Sequence, residues 1–238
     1  LPQNYDREFK GWVSARTALG ASLNVPAVRV GAMLGPDALF ARLNAFGLAL
    51  SESAGYHGQA LALGGADVTL LALTNAYRAL ANGGLASAPL LRGAPALPAS
   101  PRRVADAAAV HLVADILADN GARARTFGLA SVLATRGFAA VKTGTSKDLR
   151  DNWCGGFTDR YTVGVWVGNA SGEPMHDVSG VSGAAPVWHT LVARLHEGRP
   201  SRSPVRPAGV VVSHVAFESH REAPRDEVFI AGTEQARQ

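Results

Sequence analysis

Val141-Lys142-Thr143-Gly144-Thr145-Ser146 follows directly on the apolar run Phe138-Ala139-Ala140-Val141. A short apolar run of this kind reads as a buried strand, and here it leads into Lys142. On an extended chain alternate side chains share a face, so Thr143 and Thr145 point the same way. Residues 153–158 and 161–167 read as two more strands, the second dense in Val, Tyr and Trp. Only Asp159-Arg160 separates them, which suits an antiparallel hairpin.

Working outward from that sheet, the flanks are helical. Residues 14–21 form one short piece. Pro26 suits a helix first turn, where its missing N–H is not needed. Gly35-Pro36-Asp37 interrupts the pattern, residues 38–46 resume it, and Gly47 closes it. Residues 55–65 are glycine-rich and read as a loop, after which Asp67 is a candidate N-cap. Val68, Leu71, Asn75 and Ala79 fall on one stripe, ended by Asn82-Gly83-Gly84. Residues 89–101 hold four prolines and read as a connection or an irregular edge strand. Residues 104–120 carry Ala107, Val110, Ala114 and Leu117 at helical spacing, with Gly121 as the stop. Residues 186–197 form a last helix. The arginine-, proline- and serine-rich stretch 199–209 reads as a linker, with strands expected at 210–217 and 228–230. Helices, then an antiparallel sheet, then a helix on that sheet make an α+β fold.

Composition narrows the function classes. A chain of 238 residues, 47% hydrophobic and 18% charged, is globular in type. It contains no apolar run long enough to span a bilayer. The net charge of +4 is carried by scattered arginines with no aromatic interleaving, so nucleic-acid binding is not expected. The single cysteine, Cys154, has no partner for an internal disulfide and sits in an apolar stretch, as a small buried hydrophobe does. His189 and His196 can share a helix face, but no third ligand accompanies them, so a metal is not expected there. Trp12, Trp153, Trp166 and Trp188 read as core, Asp151 as a turn or strand start or else as a residue that orients the site, and Arg123 and Arg125 as solvated.

The chemistry lies in two tripeptides. Lys-Thr-Gly is one of three motifs that together build a serine acyl-transfer site; Ser22-Leu23-Asn24 has the form of the second. The third, Ser-x-x-Lys, carries the nucleophile and is absent. The three lysines are Lys10, Lys142 and Lys147, and three positions before them stand Arg7, Ala139 and Gly144. Acyl transfer needs a deprotonated nucleophile, fixed donors for the oxyanion, a proton for the leaving amine and a substrate held in register. Lys142 beside Ser22 would favour proton movement through the hydroxyl and attract an anionic substrate terminus. Ser22 would relay a proton to the leaving nitrogen. Asn24 would offer its amide to the substrate backbone and to the lysine of the missing motif. The Thr143 and Thr145 hydroxyls would hold a carboxylate, the Thr145 N–H would face the oxyanion, and Gly144 would let substrate approach the backbone. The reading requires both tripeptides to converge on one cleft.

Longer segments carry a family resemblance. Asn4-Tyr5-Asp6, Gly11-Trp12-Val13-Ser14 and Ala21-Ser22-Leu23-Asn24-Val25-Pro26-Ala27-Val28 form the first group. Leu63-Gly64-Gly65-Ala66-Asp67-Val68-Thr69, Asn75-Ala76-Tyr77 and Ala81-Asn82-Gly83-Gly84 form the second. The third is Val141-Lys142-Thr143-Gly144-Thr145-Ser146 with Asp151-Asn152-Trp153 and Val163-Gly164-Val165-Trp166-Val167-Gly168. Together they resemble the transpeptidase domain of class A penicillin-binding proteins, most like those of the 1C type. The resemblance implies an α/β sandwich: an antiparallel sheet flanked by helices, plus an all-α lobe, here incomplete at the N-terminus. Residues 1–198 would be the later two-thirds of such a domain, and 199–238 a linker and the start of a carboxy-terminal extension. It also implies D-alanyl-D-alanine transpeptidation of peptidoglycan stem peptides, acylation by β-lactams, and a place on the periplasmic face of the inner membrane. On this match Ser22, Asn24 and Lys142 are catalytic, and Thr143, Gly144 and Thr145 bind substrate. The nucleophile motif, the glycosyltransferase domain and the anchor would belong to an upstream part of the same protein, so the chain alone would form no acyl-enzyme. The alternatives are a β-lactamase-like or penicillin-sensing domain, or a non-catalytic scaffold of the same fold.

Overall fold

The computed structural model describes residues 2–90, 100–218 and 222–236. Helices α1 (Ala15–Gly20), α2 (Asn24–Leu34) and α3 (Pro36–Ala45) come first. The short α4 (Ala54–His57) runs into a 3-10 turn over Gly58–Leu63, and α5 (Leu70–Ala81) follows. Strands β1 (Leu85–Ala86) and β2 (Arg102–Arg103) pair antiparallel across the proline-rich connection, of which residues 91–99 lie outside the described residues. Helices α6 (Ala107–Ala118) and α7 (Asn120–Phe127) lead to the sheet, β3 (Ala140–Thr145), β4 (Asp151–Phe157) and β5 (Thr162–Gly168), antiparallel in that order. A π-helical turn over Gly180–Ala184 opens α8 (Ala185–Leu195). A hairpin of β6 (Val210–Val215) and β7 (Arg225–Ile230) follows.

Glycines set how the layers close on the sheet. Gly155 of β4 and Gly164 of β5 stand opposite each other in register. A Cβ on Gly155 would lie 3.0 Å from the Tyr77 ring, and one on Gly164 would lie 2.1 Å from Thr74 Oγ1. The pair therefore forms a trough in which α5 lies against the backbone. Gly156 turns to the opposite face, where its Cβ would meet Trp188 at 2.7 Å. Trp188 of α8 is fully buried among Val141, Cys154, Val165 and Leu133 and donates its indole N–H to Val163 O at 3.1 Å. Ala140 and Phe157 pack on the other side with Ala114 and Leu117 of α6, and with Tyr77 and Leu80 of α5. Helices thus cover both faces, as expected for the α+β class.

Several local expectations are corrected. Residues 55–65 are largely helical, because their small residues serve packing: a Cβ on Gly31 of α2 would lie 2.7 Å from Ala62. Thr69, not Asp67, caps α5, its hydroxyl accepting from Ala72 N at 3.1 Å. Gly121 does not end a helix. Asp119 stops α6 in an extended conformation and caps α7, accepting from Ala122 N at 3.1 Å. Strand β3, at the edge of the sheet, starts later than its apolar run and includes the whole Lys-Thr-Gly motif. Phe138 is outside it, donating its N–H to Ser201 O at 3.3 Å, so the stretch 199–209 is pinned to the sheet's entrance. Of the tryptophans only Trp188 is core. Trp153 and Trp166 are half-buried, and Trp12 is 76% exposed, with the Arg29 guanidinium 6.0 Å from its ring centre.

Arg123 is the largest departure. It is 3% exposed and donates to Leu133 O at 3.1 Å and to Leu117 O, while Arg125 is solvated as expected. Its guanidinium ties the end of α6 and the 131–134 turn to α7. Arg123→Met leaves those two buried carbonyls without their donor, and an unfolding curve in urea is expected to show a loss of about 2–4 kcal/mol.

Candidate active site

The two tripeptides meet. Lys142 Nζ lies 2.5 Å from Ser22 Oγ, donating across 120 positions of sequence, and also reaches Thr143 O at 2.8 Å. Strand alternation explains the approach. Lys142 shares the face of β3 that carries Ala140, the face packed on the helical lobe, whereas Val141, Thr143 and Thr145 turn toward α8.

Ser22 reaches that position through the cap of α1. The chain turns back with Ser22 N donating to Leu19 O at 3.1 Å and Leu23 N to Ala18 O at 2.9 Å. Ser22 itself is left-handed, at φ 58°. That conformation costs a non-glycine residue about 1–2 kcal/mol. It persists because neighbours fix it: Thr126 of α7 donates its hydroxyl to Ala21 O at 2.7 Å, and Gly20 lets α7 approach so closely that a Cβ would lie 2.7 Å from Ala122. Strain of this kind persists only where the surrounding structure over-determines the residue, as it does here.

Burial holds the Lys142 ammonium down to about 8, and the nearby Arg123 guanidinium adds to the effect. At pH 7 it is still about ten to one protonated. Cys154, 1% exposed on the neighbouring strand, has its thiol pushed up to about 12 by burial and stays neutral. It is the inert hydrophobe expected.

The remaining residues frame the strand's end. Thr145 Oγ1 accepts from Gly180 N at 2.9 Å, so the π-helical turn before α8 docks on the motif. A Cβ on Gly180 would lie 2.4 Å from Gly144 O, which makes that glycine a spacer for the docking. Gly144 differs: a Cβ there would meet only Trp153 Cβ at an ordinary 3.6 Å. The fold has room for an alanine, so packing within the chain does not itself demand glycine there. Gly144→Ala is expected to leave the unfolding free energy, measured in urea, within about 0.5 kcal/mol of wild type. Asn24 stands apart. It opens α2, and its amide donates to Gln3 O at 2.9 Å rather than meeting Lys142. Asn4 supports the same end, accepting from Val25 N at 3.1 Å. Asp151 begins β4 and accepts the Trp166 indole N–H at 2.9 Å.

Sequence reasoning missed Thr126, Arg123 and Gly180. The Ser179-x-x-Ser182 capping box, which both side chains complete, was the one available signal for the docking turn.

Among known families, the penicillin binding protein transpeptidase domain matches residues 2–174. Penicillin-binding protein 1C of Escherichia coli is 35% identical over 191 residues, covering 80% of this chain and 24% of that protein. Penicillin-binding protein 1B of Vibrio cholerae is 31% identical over 79% of this chain and 25% of its own length. The chain thus spans about a quarter of these relatives. Penicillin-binding protein 1A of Haemophilus influenzae superposes with a TM-score of 0.80 at 23% identity, over 98% of this chain and 42% of that one. PonA1 of Mycobacterium tuberculosis gives 0.69 at 22% identity, over 86% and 64%. At such identities the superpositions show the fold; the extent of the family match and the likeness to the 1C protein decide membership, and this chain belongs to the penicillin-binding protein transpeptidase domain family.

Proposed function

We propose that this chain supplies the second and third motifs of a D-alanyl-D-alanine transpeptidase acting on peptidoglycan stem peptides, and that β-lactams acylate the same centre. The contact of Lys142 with Ser22 carries the reading. An ammonium held against a hydroxyl can receive a substrate carboxylate and assist proton transfer to the leaving amine. Ser22 and Lys142 are the catalytic pair in this chain, and Asn24 joins them once its amide leaves Gln3 O. Thr143 and Thr145 hold the substrate carboxylate, Gly144 gives it room, and the Thr145 N–H faces the oxyanion. The acyl group is carried by the serine of a Ser-x-x-Lys motif, which none of the three lysines here supplies, and which this reading assigns to a part of the same protein outside these residues. Residues 1–198 are then the later two-thirds of the catalytic domain. A glycosyltransferase domain and an inner-membrane anchor precede it, placing the chemistry in the periplasm; among the described residues no helix is long and apolar enough to cross a membrane.

The test is acylation of the full-length polypeptide by a fluorescent penicillin, followed by denaturing electrophoresis. A covalent band that Ser22→Ala weakens at least ~100-fold in rate supports the reading, on the scale of loss expected for a proton-relay group. No band, or a band indifferent to Ser22→Ala, overturns it.

A further inference from the structure

The hairpin of β6 and β7 lies beyond the residues that the family model matches, yet it grips the element that presents Ser22. Helix α1 is six residues long, too short to hold its own geometry. Its first residues are bound from the far end of the chain. Ser14, the N-cap, donates its N–H to Glu222 Oε1 at 2.8 Å and its hydroxyl to Glu222 Oε2 at 2.9 Å. Arg225 fixes the same corner, donating to Ser14 Oγ at 3.0 Å and to Glu222 at 2.8 Å. Arg16, 8% exposed, reaches Glu227 with Nε at 2.9 Å and Nη2 at 2.5 Å, and its remaining N–H groups meet Asp115 and Asp119 of the α6 end. One short turn later the helix delivers Ser22 in its left-handed conformation.

We infer that the β6–β7 hairpin is a positioning element of the active site, in which Glu222 and Glu227 hold α1 so that Ser22 stays against Lys142. The inference rests on the functional reading above and extends it to residues outside the conserved-family match. The Glu222 carboxylate takes the N–H of the N-cap, one of the groups a helix start leaves without an internal partner, while Glu227 holds the Arg16 side chain. Thr126 and Gly20 fix the helix's exit against α7, while the hairpin fixes its entry; a six-residue helix gripped at both ends cannot tilt. Releasing the entry lets α1 rotate about its α7 contact, and the displacement appears where the chain is strained, at Ser22.

The experiment uses the full-length protein and a fluorescent penicillin in a time course that separates the acylation rate constant from the labelling amplitude. Glu227→Gln removes one carboxylate charge at constant shape. Glu222→Gln is the second variant, because it leaves all three carboxylates around Arg16 in place should the first fail to accumulate. Glu234→Gln, on the exposed tail, is the control. The expected result is a rate constant lowered about 5- to 10-fold with full amplitude in the Glu227 and Glu222 variants, on the scale of a lost charged contact, and an unchanged control. A rate constant equal to wild type in both variants overturns the inference, whether the amplitude is full or reduced, because a purely structural hairpin changes only the amount of active protein. A wild-type protein that takes no label overturns the functional reading as well. A labelled wild type with unaffected variants overturns the hairpin's role alone.

Discussion

On the proposed function, Lys142→Met in the full-length polypeptide is expected to abolish penicillin acylation and, at the same time, to make the fold harder to unfold. Wild-type Lys142 is an amine whose pKa sits near 8 in the folded chain against an ordinary value of 10.5, chiefly because burial penalises the ammonium. Below pH 8 the fold therefore carries a charge that water would solvate better. Between pH 8 and the ordinary lysine range the unfolded chain binds more protons than the folded one, so wild-type stability rises with pH across that window. Methionine fills nearly the same volume without the charge. The variant is expected to gain about 2 kcal/mol at pH 7 and to lose the rise in stability above pH 8. Urea unfolding at pH 7 and pH 10, with labelling in parallel, measures both effects. A variant that is less stable than wild type at pH 7 refutes the account of Lys142 as a costly buried charge retained for chemistry. The opposition of stability and activity at one residue is expected of functional sites.

The largest stability loss is expected from Gly156→Val. The first added carbon would stand 2.6 Å from Ala140 O and 2.7 Å from Trp188, with Val141 Cα at 3.1 Å. Two of those three atoms are main chain of the neighbouring strand, and the third belongs to a fully buried tryptophan that cannot turn aside. Relief requires the ladder between β3 and β4 to open or α8 to lift. The cost is expected to exceed about 4 kcal/mol, above the usual range for overpacking. Equilibrium unfolding, or failure to recover soluble protein beside wild type, reads it out. Because Val141 and Gly156 are register partners one residue before Lys142, the lesion should also displace the amine from Ser22.

The sheet and its hairpin were legible because strand-forming residues, a two-residue connection and alternating faces say the same thing locally. The pairing of Ser22 with Lys142 was legible for another reason: the chemistry demands both residue types, so distant motifs could be joined by what they must do together. Glycine was misread where local rules have two meanings. Residues 55–65 carry the composition of a loop, but the small side chains let helices touch. Arg123 was misread because its partners are main-chain carbonyls, which leave no trace in a charge pattern. Asp67 and Thr69 are both good cap residue types two positions apart, and residue type alone does not choose between them. Nothing near Arg16 announces Glu227, since the two are 211 positions apart.

That last separation governs how the protein can be made. The Ser22 turn lies near the beginning of this chain, its amine partner past the middle, and the carboxylates that steady it come after both. As the polypeptide emerges from a ribosome, Arg16 and Ser14 must wait for almost everything else before they find Glu227 and Glu222. Long-range closures of this kind slow folding and leave early segments exposed meanwhile. The contact of Ser22 with Lys142 should accordingly appear last, after the helices and the hairpin of β4 and β5 have already acquired protection from hydrogen exchange.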